Sequence, residues 1–165
     1  MAIISLELFV AAPPERCFDL SLSIGLHMHA SAGTGETAVG GVTSGLIGLG
    51  EEVTWRARHF GVWQHLTTRI SDWDRPRWFR DEMVRGAFAR FHHDHWFDAV
   101  DGGTRMRETF DFTAPLGPLG RVAETLFLTR YMTRFLDERA RTIKEVAENG
   151  EWRRFLPSDA EAASG

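Results

Sequence analysis

Residues 78–113, WFRDEMVRGAFARFHHDHWFDAVDGGTRMRETFDFT, decide the fold. Three runs in this stretch alternate with a period of two, the pattern of strands with one face on a core. In 77–84, Phe79, Asp81 and Met83 share one face, and Trp78, Arg80 and Glu82 the other. In 88–100, Phe91, His93, His95 and Phe97 oppose His92, Asp94, Trp96 and Asp98. In 104–113, Met106, Glu108, Phe110 and Phe112 oppose Arg105, Arg107, Thr109 and Asp111. Arg85-Gly86 and Asp101-Gly102-Gly103 supply turn chemistry between the runs. Connections this short make the strands antiparallel neighbours.

Working outward, 51–60 carries Val53, Trp55, Ala57 and His59 on its inward face, and 63–71 carries Leu66, Thr68 and Ile70. Residues 3–10 alternate around Ser5 and Glu7 and form a first strand. Pro13-Pro14 stops it and opens a short helix over 15–22, with a second short helix or turn over 23–29. Seven glycines fall within 31–50, too many for a helix interior; the reading is a mobile crossing followed by a bent, weak strand near 41–49. After Pro115-Leu116-Gly117-Pro118, one long helix spans 119–148. Its stripe is Leu119, Val122, Leu126, Thr129, Thr133, Leu136, Ala140, Ile143 and Ala147, widened by Phe127, Tyr131 and Phe135. One domain over 1–150 is expected, with a disordered tail over 151–165.

The composition narrows the function. The chain has 165 residues, 43% apolar and 25% charged, which is ordinary globular usage. A net charge of −4 argues against a protein held to nucleic acid by phosphate neutralisation. No apolar run approaches the length of a membrane span, and the N-terminus has no basic signal-peptide region, so no stable membrane insertion is expected. The single cysteine, Cys17, allows no internal disulfide and is expected to be a buried inert thiol; the cytoplasm is the default location. Twelve Phe and six Trp suit either a dense core or an aromatic-lined cavity. The glycines form no phosphate loop, because the P-loop pattern and its strand–loop–helix context are both missing.

The order of a strand, two short helices, a six-strand antiparallel meander and a long C-terminal helix resembles the helix-grip fold of the SRPBCC superfamily, the START-like and polyketide cyclase/dehydrase-like proteins. The resemblance covers about residues 3–147 and is carried by their joint order. Its pieces are Ala12-Pro13, GEEVTWRARHFG at 50–61, FRDEMVRGAF at 79–88, HDHWF at 93–97, GGTRMRETF at 102–110 and APLGPLG at 114–120, similar to a bacterial branch of the superfamily. Glu108 stands where that branch leads one to expect Asp. The fold class implied is α+β: a curved antiparallel sheet of six to seven strands wrapped around the C-terminal helix. The resemblance implies a cavity between sheet and helix that takes lipids, polyketides or other apolar molecules. Fold alone does not fix function.

The alternation places His59, Asp81, His93, His95 and Glu108 on inward faces. Burying ionisable groups costs several kcal/mol each unless they are paired, because each must leave water. If Asp101-Gly102 are the central residues of a two-residue hairpin, His95 lies opposite Glu108, Phe97 opposite Met106 and His93 opposite Phe110. A three-residue turn at 85–87 sets Asp81 opposite Phe91, with His93 its diagonal neighbour. A patch of Asp81, His93, His95 and Glu108 on three adjacent strands follows. It can brace the sheet as a buried polar network, orient a ligand, move protons as acid and base, or ligate zinc or iron through His-x-His and a carboxylate. No second cluster with ligand spacing supports the last option, so neither a metal nor a cofactor is expected.

The main expectation is a binding protein for an apolar or amphipathic small molecule. Trp55, Phe79, Phe97, Met106, Phe110, Leu126, Tyr131 and Phe135 would supply apolar walls, and His59, Asp81, His93, His95 and Glu108 would orient a polar end. The alternative is a cyclase or dehydratase drawing its acid and base from His93, His95, Asp81 and Glu108. His27 and His29 are read as solvent-exposed, and His92 and Asp94 as solvated on the outer face.

Overall fold

The computed structural model describes residues 1–123 and 127–157. Seven antiparallel strands form one sheet: β1 (Ala2–Val10), β2 (Thr37–Gly41), β3 (Glu52–His59), β4 (Val62–Asp74), β5 (Trp78–Arg85), β6 (Arg90–Val100) and β7 (Gly103–Thr113), in the order β1-β7-β6-β5-β4-β3-β2. Helices α1 (Pro14–Ser21) and α2 (Ile24–Ala30) fill the crossing from β1 to β2, and α3 (Gly117–Ala123) and α4 (Thr129–Glu148) follow the sheet. The sheet curves over α4, which gives the helix-grip architecture. Pro14 sits at the start of α1, where its missing N–H costs nothing. Ser23 caps α2, its side chain accepting from the Leu26 amide at 3.3 Å.

The β6–β7 register is the one the Asp101-Gly102 turn dictates: His95 faces Glu108, Phe97 faces Met106 and His93 faces Phe110. Gly102 sits at φ 78°, where other residues are strained. Next to it, a Cβ on Gly103 would stand 2.1 Å from the Val10 carbonyl oxygen, so only glycine lets β7 enter beside β1. The β5–β6 register differs from expectation by two residues. Asp81 pairs directly with His93, and Phe79 with His95. The turn is longer than three residues because Phe88 does not pair with Val84. Its ring turns inward against Phe91, Phe110 and Phe112 at 5.5–5.9 Å.

Three further expectations need correction. The weak strand in the glycine-rich crossing is β2 at Thr37–Gly41, ahead of the expected 41–49, which is loop with one bridge from Leu46 to Ser23. The helix expected over 119–148 is not one regular stripe, because Leu119 and Val122 are 77% and 57% exposed. Burial begins at Met132 and runs through Leu136, Ala140, Ile143, Val146 and Ala147. Finally, 151–157 does not trail away. Glu151–Arg154 is a 3-10 helix, and Trp152, Phe155 and Leu156 pack against the core. The rest of the expected tail, from 158, and Leu126 lie outside the described residues.

Phe18 of α1 anchors one end of the core. It is fully buried and meets Phe79 and Phe97 edge-on at 5.5 and 5.6 Å, with Trp73 at 5.9 Å. Cys17 beside it is buried and free, as expected. Burial pushes its thiol up to about 11. On the outer face Asp94 is covered rather than solvated, and accepts two bonds from Arg80 at 2.8 and 2.9 Å and one from Trp78 Nε1 at 3.1 Å. His92 there stays half-exposed beside Glu82.

Candidate functional site

The concave face of the sheet does not pack solidly on α4. A cavity of about 440 Å³ lies between them. Its sheet wall includes Trp55, Ala57, Phe79, Phe91 and Phe110, and its helix wall Tyr131, Phe135 and Leu136. Exposed Phe60, Leu116, Leu119 and Phe127 also border it, which makes its rim apolar. Tyr131 lies against Phe60 at 4.6 Å and stacks near Phe135 at 6.4 Å, and its hydroxyl shares a 2.6 Å hydrogen bond with His59 Nδ1. Burial lowers the His59 imidazole, against the pull of Glu36.

Ionisable groups cluster on one region of the sheet wall. His93 and His95 alternate inward on β6 with their rings tilted at 42° and centroids 3.9 Å apart, Asp81 comes from β5 and Glu108 from β7. His95 Nε2 is 3.0 Å from Asp81 Oδ2, and His93 Nε2 is 3.1 Å from Glu108 Oε2. Arg139 reaches in from α4, with Nη2 3.9 Å from Glu108. Burial raises the Glu108 carboxyl, but the His93 hydrogen bond and the charges of His95, His93 and Arg139 outweigh it and hold the group at about 2. Asp81 is lowered in the same way: burial opposes, while the His95 bond and the charges of His93, His95 and Arg139 prevail. Burial and neighbouring His95 push His93 down to about 4. The carboxylates are therefore ionised and His93 neutral at pH 7.

The structure brings Trp55, His59, Phe79, Asp81, His93, His95, Phe110, Tyr131 and Phe135 to the cavity. Three others lie elsewhere. Phe97 and Met106 pack in the core beneath α1, because their strand positions run past the end of the hollow. Glu108 is 2% exposed and sits behind the histidines, bordering them rather than the cavity.

Several lining residues escaped the sequence reading, among them His27, Glu36 and Arg139. His27 is not solvent-exposed as expected: it stacks on Trp55 at 4.0 Å and pairs with Glu36, which borders the cavity from the crossing. Burial raises the Glu36 carboxyl, and the charge and hydrogen bond of His27 override it and hold the group low. His29 is exposed. Glu36 gave no periodic signal within its glycine-rich run. Arg139 did, since it falls three residues after Leu136 and four before Ile143, next to the buried stripe.

Asp81, His93 and His95 form a group whose ligand-type atoms lie within 4.8 Å of one another. Among the described residues, no helix is long and apolar enough to cross a membrane.

The architecture matches solved structures along nearly its whole length. A protein from Thermus thermophilus superposes with a TM-score of 0.72 at 18% identity, covering 99% of this chain and 100% of that one. A START superfamily protein from Mycobacterium smegmatis gives 0.66 at 11% identity, covering 88% and 97%. The major latex-like protein 151 of Panax ginseng gives 0.62 at 12%, covering 90% and 98%. At such identities the likeness concerns the fold. No curated protein sequence matches the chain. Residues 1–148 match the family described as polyketide cyclase / dehydrase and lipid transport, within the START-like SRPBCC superfamily, and the chain belongs to that family.

Proposed function

We propose that this protein binds one apolar or amphipathic small molecule, of lipid, polyketide or aromatic type, between the sheet and α4. The observation that carries the reading is a 440 Å³ hollow with mostly aromatic and aliphatic walls and a cluster of ionisable groups, Asp81, His93 and His95, on its sheet side. Small-molecule sites commonly span about 300–1,000 Å³, with mostly apolar walls and a few convergent polar groups. The apolar body of the ligand would lie along Trp55, Phe79, Phe110 and Phe135, with its polar end toward Asp81, His93 and His95. His59 and Tyr131 would offer a second polar contact. The protein would act as a cytoplasmic carrier or sensor without inserting into a membrane or binding nucleic acid. Native mass spectrometry of the purified protein tests this. A copurifying molecule, or one taken up from a lipid and polyketide panel with a thermal shift, is expected. A clean apo mass and no shift against the panel would refute the reading.

A second reading, acid–base chemistry of the cyclase or dehydratase kind, is favoured by the 3.0 Å pairing of His95 with Asp81 on the cavity wall. Replacing His95 by Ala would then abolish turnover of a carbonyl substrate and leave the fold intact. A change in melting temperature alone would assign the pair to bracing the sheet.

A further inference from the structure

Asp81, His93, His95 and Glu108 form a closed ring of alternating imidazoles and carboxylates. Two sides are hydrogen bonds, His95 Nε2 to Asp81 Oδ2 at 3.0 Å and His93 Nε2 to Glu108 Oε2 at 3.1 Å. The other two are open: His93 Nδ1 stands 3.7 Å from Asp81 Oδ2, and His95 Nδ1 stands 3.8 Å from Glu108 Oε1. A neutral imidazole has one N–H and one bare lone pair. If both histidines donate through Nε2, each turns its bare Nδ1 toward a carboxylate oxygen. His95 Nδ1 and Glu108 Oε1 are indeed buried without a hydrogen-bond partner. Acceptors facing each other out of water are destabilising.

A cation bound between Asp81 and the two histidines removes the mismatch. We propose that Asp81 Oδ2, His93 Nδ1 and His95 Nε2 ligate a divalent transition metal of the zinc type, with Glu108 holding both histidines from behind. Ligation through His95 Nε2 moves its proton to Nδ1, which then donates to Glu108 Oε1 once their 3.8 Å separation closes by about 0.6–1 Å to hydrogen-bond length. His93 keeps its Nε2–H bond to Glu108 and gives its bare Nδ1 to the metal. His95 Nδ1 and Glu108 Oε1, the two buried atoms of this ring without a hydrogen-bond partner, are then partnered.

The distances fit. Zinc bonds to nitrogen and oxygen run about 2.0–2.2 Å, so tetrahedral ligand atoms stand roughly 3.3 Å apart. The separations of Asp81 Oδ2 from His95 Nε2 and His93 Nδ1, 3.0 and 3.7 Å, bracket that value. A carboxylate behind ligating histidines is the usual outer support of such sites, fixing tautomer and ring orientation. Arg139, 3.9 Å from Glu108, faces the carboxylate farther from the ion. Two histidines and one carboxylate leave coordination positions open. All three residues border the cavity, so those positions face whatever molecule it holds.

The test is calorimetric titration of tag-free, chelator-treated full-length protein with Zn²⁺, and with Co²⁺ read by its visible absorption. One equivalent with a dissociation constant of about 1 µM or tighter is expected, and a Co²⁺ spectrum of a low-coordinate nitrogen–oxygen site. The double variant Asp81→Asn/His95→Gln should lose at least about 100-fold in affinity. Glu108→Gln should weaken binding by about 10–100-fold, the usual effect of losing an outer-shell partner, while retaining the Co²⁺ spectrum. No saturable uptake by the wild type up to about 1 mM would overturn the proposal, whether or not the variants fold. Equal uptake by wild type and a folded double variant would also overturn it, by assigning the ions to exposed histidines.

Discussion

A homologous series of straight-chain alcohols, from hexanol to octadecanol, can gauge the cavity from inside. Each methylene moved from water onto apolar walls contributes about 0.8 kcal/mol, so affinity should rise about fourfold per carbon while the chain still fits. At roughly 30 Å³ per chain carbon, close to the liquid volume of a water molecule, 440 Å³ holds about 15 carbons. The plot of log affinity against length should climb and then flatten near that number. Ala57→Phe supplies the perturbation. Ala57 is buried on β3 and borders the cavity, and the change adds six carbons on that wall. The break should move to about nine carbons at the same volume per carbon, with the slope below it unchanged. Displacement of a fluorescent apolar probe gives the affinities, and circular dichroism confirms that the variant folds. An affinity independent of chain length, or the same break in both proteins, would refute binding inside this hollow.

Other consequences follow from the buried charges. In chelator-treated protein at pH 7, an alcohol should outbind the carboxylic acid of equal length, because Asp81, Glu36 and Glu108 outnumber Arg139 around the site; the reverse order in displacement assays would contradict that charge count. Arg139→Gln strips three buried carboxylates of a nearby fixed cation and should cost about 2 kcal/mol in urea unfolding, somewhat below the usual loss for a buried contact pair. A cost under about 0.5 kcal/mol, the scale of an ordinary surface change, would place the guanidinium in solvent. Glu36 has its folded pKa held below its unfolded value, so its contribution is present above the unfolded value of 4.5 and is lost as pH falls through the folded one. Glu36→Gln should therefore flatten the acid limb of the stability–pH curve, and an unchanged limb would contradict the His27 pairing. Cys17, fully buried, should react with thiol reagents only through unfolding, and rapid labelling of native protein would overturn its placement.

What the sequence revealed follows the physics of each element. The β6–β7 register was legible because a two-residue Asp101-Gly102 turn admits one pairing, and that pairing set His95 opposite Glu108. The β5–β6 register was not, because the inward packing of Phe88 is a tertiary choice that local turn chemistry does not encode. The slip was two residues, so every side chain kept its face and the ionisable patch survived the error. Period two correctly turned His59, Asp81, His93, His95 and Glu108 inward. It could not say where the hollow ends, so Phe97 and Met106 were assigned to its wall although α1 covers them. His27 and Glu36 belong to a crossing without periodicity, and only the folded chain shows that the crossing closes one side of the cavity. The helix stripe failed at its start for a related reason. Leu119 and Val122 continue the pattern, yet both stay exposed, and the buried stripe of α4 starts only at Met132.

A methyl-resolved NMR titration with dodecanol bears most directly on whether a molecule enters the space beneath α4. Ile47, Val53, Leu136 and Met132 border the cavity, whereas Ile4, Val10 and Val146 are buried away from it. Large, saturable shifts are expected for the first group, with intermolecular contacts to the alcohol, and small changes for the second. Shifts confined to exposed methyls, or none in the first group at saturating alcohol, would contradict binding in this cavity.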